Sequence, residues 1–215
     1  VNVSISLHWG NEQSLQGKST VAAMTGSLLT TGTSKYNRAQ LSDEMSRLKM
    51  SGGLYSFQTT KENLSKALEL VSHVLREANF PDNEFEQAKK RAIVNLEASA
   101  NEPSSIVSRA MNQHFNPYPK GDIRAFRSLE ESLADIKALT VEQVREYHKA
   151  FYGASAGEIS VVGDMDVAAT KAAIASAFGN WESKAPYKRL ISKLPEAPAV
   201  RKTFNTPDKE NGVVS

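Results

Sequence analysis

Seven apolar residues recur at helical spacing soon after residue 60 and place the strongest constraint on how the chain folds. They are Leu64, Ala67, Leu68, Val71, Val74, Leu75 and Ala78. A stripe of this length at a period of 3.6 predicts a helix with one face buried in a core. At the start of the chain, apolar residues alternate with polar ones and predict a half-buried strand. These apolar residues are Val1, Val3, Ile5, Leu7 and Trp9.

The rest of the chain shows the same two periodicities. Helical spacing predicts further helices at about 18–30, 37–49, 83–100, from 104 onward, at 140–152 and at 166–178. Strands are predicted at 54–59, after the glycine break at 51–53, and at 158–164, the latter buried. Four residues have the type and position of a helix N-cap. They are Thr59, Asn83, Thr140 and Asp166.

Composition excludes several classes of function. The formal net charge is only +2 and no long basic run occurs, so nothing indicates nucleic-acid binding. No apolar run reaches the ~18 residues of a membrane span. Cysteine is absent, which excludes disulfides, thiolate metal sites and cysteine nucleophiles. No glycine-rich loop, paired carboxylates or Ser-His-Asp order supports a small-molecule or nucleotide enzyme.

The stretch 17–33, GKSTVAAMTGSLLTTGT, carries a second signal on its helix. It resembles the zinc-binding helix of the pitrilysin/insulinase metallopeptidases, whose motif is H-x-x-E-H. The resemblance rests on the Gly17-Lys18-Ser19 entry and on the Leu-Leu and Gly-Thr pairs that follow at 28–29 and 32–33. The motif positions are then occupied by Ala23, Gly26 and Ser27.

These three residues lack the chemistry that the motif supplies. Two histidines four apart on one helical face can hold Zn²⁺ at about 2.0–2.1 Å, and the intervening glutamate activates the bound water. Alanine and glycine offer no side-chain lone pair, and a neutral serine hydroxyl is a poor zinc ligand. The sequence therefore predicts that these residues do not hydrolyse peptides by themselves.

Other segments extend the resemblance over about residues 1–182. The loop at 116–121 is similar to an H-P-Y-G-like loop of the family, and 128–140 is similar to its G-x-x-E-S-I pattern. The strand-to-helix turn around Gly163 follows the family's V-V-G-D-x-D pattern. Glu97 lies 70 residues after Ser27, where the family carries its third zinc ligand; the alternative is an ordinary solvent-facing glutamate. Lys90 stands where the family has another glutamate.

The four histidines fit no zinc signature by their spacing. His8 falls on the polar face of the first strand and is predicted to be solvated. His73 lies off the apolar stripe of its helix and is predicted to be exposed. His114 and His148 fall on apolar helix faces, so a packing role is predicted for each.

The resemblance implies an α+β fold, a two-layer sandwich in which a mainly antiparallel sheet packs against helices. It also implies that the chain is a non-catalytic, substrate-enclosing half of a zinc-dependent endopeptidase. Zinc and its ligands would then lie in a catalytic domain or subunit of the same family, which would be the partner, and peptides would be the substrate. The alternative is a catalytically silent structural or regulatory subunit of the same fold.

Three further expectations complete the interpretation. The chain is expected to hold one domain at 1–182, which is either complete or lacks its first strand. A proline-rich linker at 183–199 and the truncated start of a further unit at 200–215 are expected to follow. Strand-like pairing with a substrate peptide is expected at a sheet edge. The residues predicted to form that edge are Leu54, Tyr55, Ser56 and Phe57. By analogy with bacterial relatives, a periplasmic location is expected, with the cytoplasm as the alternative.

Overall fold

The computed structural model describes residues 1–206, 208, 209 and 212–214. The helices are α1 Ser19–Leu28, α2 Arg38–Arg47, α3 Leu64–Glu77, α4 Asp82–Ser99, α5 Pro103–His114, α6 Leu129–Ala138, α7 Val141–Phe151 and α8 Val167–Phe178. The strands are β1 Asn2–His8, β2 Ser51–Gly52, β3 Ser56–Gln58 and β4 Ala156–Val162. The predicted α+β class is confirmed.

The four strands form one antiparallel sheet in the order β2-β3-β1-β4. Val3 of β1 pairs with Phe57 of β3 on one side and with Val161 of β4 on the other. Val3 and Phe57 are buried, whereas Ser4, the next residue of β1, is exposed. The period-two pattern therefore sets which face of the sheet meets the helices.

The apolar stripe of α3 is the centre of the core. Ala67, Leu68, Val71, Val74 and Leu75 are completely buried. Burying each of the larger side chains contributes about 1.5–3 kcal/mol. One flank of this buried face meets α8, where the Ser72 hydroxyl donates to the Ala177 carbonyl at 2.6 Å.

Two of the four predicted caps form and two do not. Thr140 and Asp166 accept from the backbone N–H groups of Gln143 and Ala169 at 3.3 and 2.9 Å. The prediction for Thr59 is wrong, because its hydroxyl instead donates to the Leu48 carbonyl at 2.7 Å and α3 begins only at Leu64. The prediction for Asn83 is also wrong, because α4 begins one residue earlier, after Pro81.

The predicted burial of β4 and of the apolar stripe of α5 needs correction. β4 is not a buried strand: within the described residues only β1 pairs with it, and Val162 is 63% exposed. The apolar stripe of α5 is not part of the core, and only Pro103 of that helix is buried. Both elements lie at the periphery, where no further layer of the described chain covers them.

The stretch Leu54–Phe57 does not form an edge strand. β3 lies between β1 and β2, because Ser51–Gly52 folds back as a short strand and pairs with Phe57 and Gln58. Gly52 has a φ of +109°, a conformation that side chains rarely adopt. The glycine break predicted at 51–53 is thus the hairpin that covers this strand.

After α8 the chain is extended. Residues 183–206 contain no helix or strand, so the first residues of the unit predicted at 200–215 show no regular structure over 200–206. The rest of that predicted unit includes residues 207, 210, 211 and 215, which lie outside the described residues. The division at residues 182 and 199 stays a prediction.

Candidate functional site

α1 is held in place by its entry loop and by its buried face. The Gly17 N–H donates to the Gly121 carbonyl at 2.7 Å, which joins the loop before the helix to the segment after α5. Met24, Thr25 and Leu28 are buried, and the helix packs on α7. The Thr25 hydroxyl satisfies its hydrogen bond on the Val21 carbonyl at 2.7 Å.

The three motif positions lie together on the opposite face of α1. Ala23, Gly26 and Ser27 are all exposed, as their i, i+3, i+4 spacing requires. A Cβ at Gly26 would meet nothing within 4 Å, so the space above the helix is open. The Ser27 hydroxyl donates to the Met24 carbonyl at 2.8 Å and is therefore already engaged. The face can meet a neighbouring surface but offers no group that binds zinc.

Glu97 lies on the exposed side of α4. Its side chain is 54% exposed and comes within 3.8 Å of the Lys137 ammonium group on α6. Lys90 precedes it by two turns and is also exposed. Within the described part of the chain, no three His, Cys, Asp or Glu side chains are grouped so that they could hold a metal ion.

A polar cleft of about 450 Å³ opens beside the N-terminal turns of α1, between that helix and α6–α7. Lys18, Asp135 and Glu146 are among its lining residues. The Thr20 hydroxyl donates to Asp135 at 3.1 Å, and Arg127 forms an ion pair with the same carboxylate. The Asp135 carboxylate is therefore already paired, and Lys18 and Glu146 are further charged groups that line the cleft.

A cluster of aromatic residues that the sequence did not predict includes Tyr147, which lines this cleft. The ring of Trp9 stacks on Tyr152 at 4.3 Å, and its Nε1–H points to the Tyr147 hydroxyl at 3.4 Å. Burial raises the pKa of Tyr147, Tyr152 and the neighbouring Tyr55. These phenols remain neutral and act in packing. The sequence pattern around Trp9 describes the first strand, and the pattern around Tyr147 describes α7. Neither pattern indicates that these two side chains are in contact.

Each histidine has a structural environment. His148 is buried and its Nε2–H donates to the Leu75 carbonyl at 2.7 Å, which confirms the predicted packing role. His73 is not fully exposed as predicted: it is half-buried, and its Nε2 lies 3.0 Å from the Thr33 hydroxyl. His8 stacks on Tyr187 with centroids 4.9 Å apart. His114 lies on the partly exposed side of α5, with Nε2 2.8 Å from the Pro198 carbonyl.

Comparison with known proteins finds a family model that matches the C-terminal part of the chain. Residues 138–214, from the last residue of α6 onward, match the peptidase M16 inactive domain. Comparison with curated protein sequences finds no match.

Solved structures share the fold over about nine-tenths of the chain. A protease from Helicobacter pylori superposes with a TM-score of 0.68 at 18% identity, covering 92% of this chain and 49% of that one. The peptidase M16 inactive domain from Pseudomonas fluorescens has a TM-score of 0.68 at 16% identity, covering 92% and 48%. The periplasmic protease PqqL from Escherichia coli has a TM-score of 0.67 at 15% identity, covering 90% and 22%.

The motif positions of α1 carry neither an imidazole nor a carboxylate. Residues 138–214 match the model of the peptidase M16 inactive domain, and the fold is shared with a solved M16 inactive domain and with solved proteases. The predicted relation to the pitrilysin/insulinase peptidases is thereby confirmed.

The chain spans about half or less of the length of the solved proteins that it resembles. Those proteins therefore contain further domains beside the one that matches. Among the helices of the described residues, none has the length and apolarity needed to cross a bilayer.

Proposed function

We propose that this chain is the non-catalytic, substrate-enclosing part of a zinc-dependent metalloendopeptidase. The observation that carries the proposal is the open face of α1, where Ala23, Gly26 and Ser27 stand at the positions of a zinc motif in a fold shared with a solved M16 inactive domain. Zinc would be bound by a catalytic domain or subunit with its own H-x-x-E-H.

A domain without catalytic groups contributes to a peptidase by enclosing the substrate. A wall that closes over a peptide restricts its motion and excludes bulk water from the reacting bond. The exposed α1 face and the polar cleft beside it offer small side chains and hydrogen-bonding groups without a competing metal site. Both features suit a surface that faces a peptide which another domain cleaves.

The role proposed for Leu54–Phe57 changes with the sheet topology. Because β2 covers most of β3, a substrate strand on that side would pair with Ser51–Gly52 and contact Leu54 and Tyr55 only at the hairpin turn. The free backbone of so short a strand allows two or three hydrogen bonds at most.

Reconstitution tests the proposal. The purified chain is mixed with the H-x-x-E-H domain or subunit encoded with it, and cleavage of an unstructured peptide is measured for each part and for the mixture. We expect the mixture alone to be active, with zinc bound only to the H-x-x-E-H part. One equivalent of zinc on this chain alone would contradict the proposal.

The same experiment separates the alternative. A silent structural subunit would leave the peptidase activity of the catalytic part unchanged when it is added, and a regulatory subunit would change the rate of a catalytic part that is already active on its own. The decisive readout is therefore the dependence of the cleavage rate on the amount of this chain.

A further inference from the structure

The chain after α8 follows the surface of the domain along a defined path. Gly10 pairs with it through both backbone groups: its N–H donates to the Ala185 carbonyl at 3.0 Å, and its carbonyl accepts from the Lys188 N–H at 2.9 Å. Tyr187, between these two residues, stacks on His8. We call residues 186–199 the strap.

Three side chains of the domain then hold the strap by its backbone. The Arg124 Nη1–H donates to the Ile191 carbonyl at 2.7 Å, and the Tyr118 hydroxyl accepts from the Lys193 N–H at 2.8 Å. The His114 ring donates through Nε2 to the Pro198 carbonyl at 2.8 Å. Of the strap's apolar side chains, Leu190 packs partly buried against the core, whereas Ile191 and Leu194 are 77% and 88% exposed.

Arg124 is fixed before it meets the strap. Asp122, whose side chain is 4% exposed, accepts from Arg124 Nε at 2.8 Å and from Nη2 at 2.5 Å. The guanidinium lies 4.4 Å from the centre of the Tyr118 ring, and Glu12 approaches it at 3.3 Å. Because the Asp122 carboxylate accepts from Nε and Nη2 of the planar Arg124 guanidinium, Nη1 is left to donate to the strap.

We infer that the strap is a latch, which releases from the domain while the domain stays folded. Few backbone hydrogen bonds and two highly exposed apolar side chains, Ile191 and Leu194, indicate a segment of low local stability, which opens before the core does. The region that matches the M16 inactive domain, residues 138–214, includes the whole strap.

Amide hydrogen exchange on the full chain tests the latch. In the wild type we expect the Lys193 amide to exchange more slowly than that of an unstructured peptide and faster than the amides in the middle of α3. Tyr118→Phe keeps the ring on Arg124 and removes the acceptor for the Lys193 N–H. Exchange at Lys193 should then rise about fivefold, the effect of one net hydrogen bond, with α3 unchanged.

Two further variants make the test decisive. Tyr187→Phe is the matched control, because it removes a hydroxyl with no hydrogen bond in the described structure and keeps the stack on His8; it should leave Lys193 unchanged. Arg124→Lys keeps a charge beside Asp122 but cannot also reach the Ile191 carbonyl, and should accelerate exchange along the strap. An unprotected Lys193 amide in the wild type would show that there is no latch. Strap and α3 amides exchanging at one common rate would show that the strap opens only when the domain unfolds, and would overturn the latch.

Discussion

Ala23, Gly26 and Ser27 differ from their neighbours on α1 in being exposed, whereas Met24, Thr25 and Leu28 between and beside them are buried. Core packing of α1 therefore depends on the buried residues and not on the three exposed ones. A change of side chain at the exposed positions opens no cavity, because large stability costs come from buried sites. The three positions can therefore carry side chains without metal donors while the packing of α1 is kept.

His148 supplies the prediction at the scale of a single residue. Its Nε2–H satisfies the Leu75 carbonyl, which lies in the last turn of α3; the Asn79 N–H that would complete the helix donates to Gly32 instead. His148→Phe keeps a ring in the core but leaves this buried carbonyl without a donor. We expect the free energy of unfolding to fall by about 1–3 kcal/mol. Urea denaturation measures the change, with His8→Phe as control.

His8, the control, is a histidine like His148 but has a different environment. His8 lies at the end of β1, half-buried, and stacks on Tyr187, so a phenylalanine ring preserves the contact. We expect a change within about 0.5 kcal/mol. Equal losses in the two variants would mean that the Leu75 hydrogen bond does not contribute to stability.

At the scale of elements, the β2–β3 hairpin depends on one of two adjacent glycines. Gly52 has a φ of +109°, and an added Cβ would come within 2.5 Å of the Ser56 carbonyl oxygen. Gly53 has no atom within 4 Å of such a Cβ. Gly52→Ala should therefore destabilise the protein by about 1–3 kcal/mol through strain. Gly53→Ala should be neutral or stabilise it by up to about 1 kcal/mol, because the unfolded chain loses freedom.

Thermal or urea unfolding of the two single variants, run side by side, measures this difference. The pair is closely matched, since the same atoms are added one residue apart. If both substitutions shift stability equally and in the same direction, the hairpin geometry at 51–56 is wrong.

The elements that the sequence predicted well are those whose signal is local and periodic. The stripe of α3 and the alternation of β1 translate directly into buried faces, and Thr140 and Asp166 form caps because their partners lie three residues away. Failures occurred where a distant group decided the outcome. Thr59 is drawn to the Leu48 carbonyl, and β4 is left at an edge by the pairing order.

In the candidate site, too, local features could be predicted from the sequence and contacts between distant residues could not. The three motif positions could be placed on one helix face from spacing alone, and they are exposed together. The cleft around Asp135 and the aromatic contacts of Trp9 depend on side chains more than 100 residues apart in sequence. Periodicity contains no information about such pairs, because it describes each element separately.

At the scale of the whole molecule, the fold lowers the pKa of several carboxyl groups and of two histidines. Burial lowers the pKa of His148, opposed in part by the Leu75 carbonyl and Glu77, and burial with nearby Lys35 lowers that of His73. Hydrogen bonds from Arg124 lower the pKa of Asp122. A lowered pKa in the folded state means that the unfolded chain binds more protons in that pH range. Stability is therefore full above the unfolded pKa and is lost as the pH falls through it.

The expected result is a free energy of unfolding that is level above about pH 7 and falls in two stages on acidification. The first stage begins near pH 6.5, the ordinary pKa of histidine, and comes from His148 and His73; the second begins near pH 4, where the carboxylates of the unfolded chain take up protons. Urea denaturation at constant ionic strength from pH 8 to 3 measures both stages. His148→Phe should flatten the first stage and leave the second unchanged, because it removes one of the two groups that titrate there. A wild-type stability that stays level between pH 7 and 5 would show that burial of these two rings does not disfavour their charged forms.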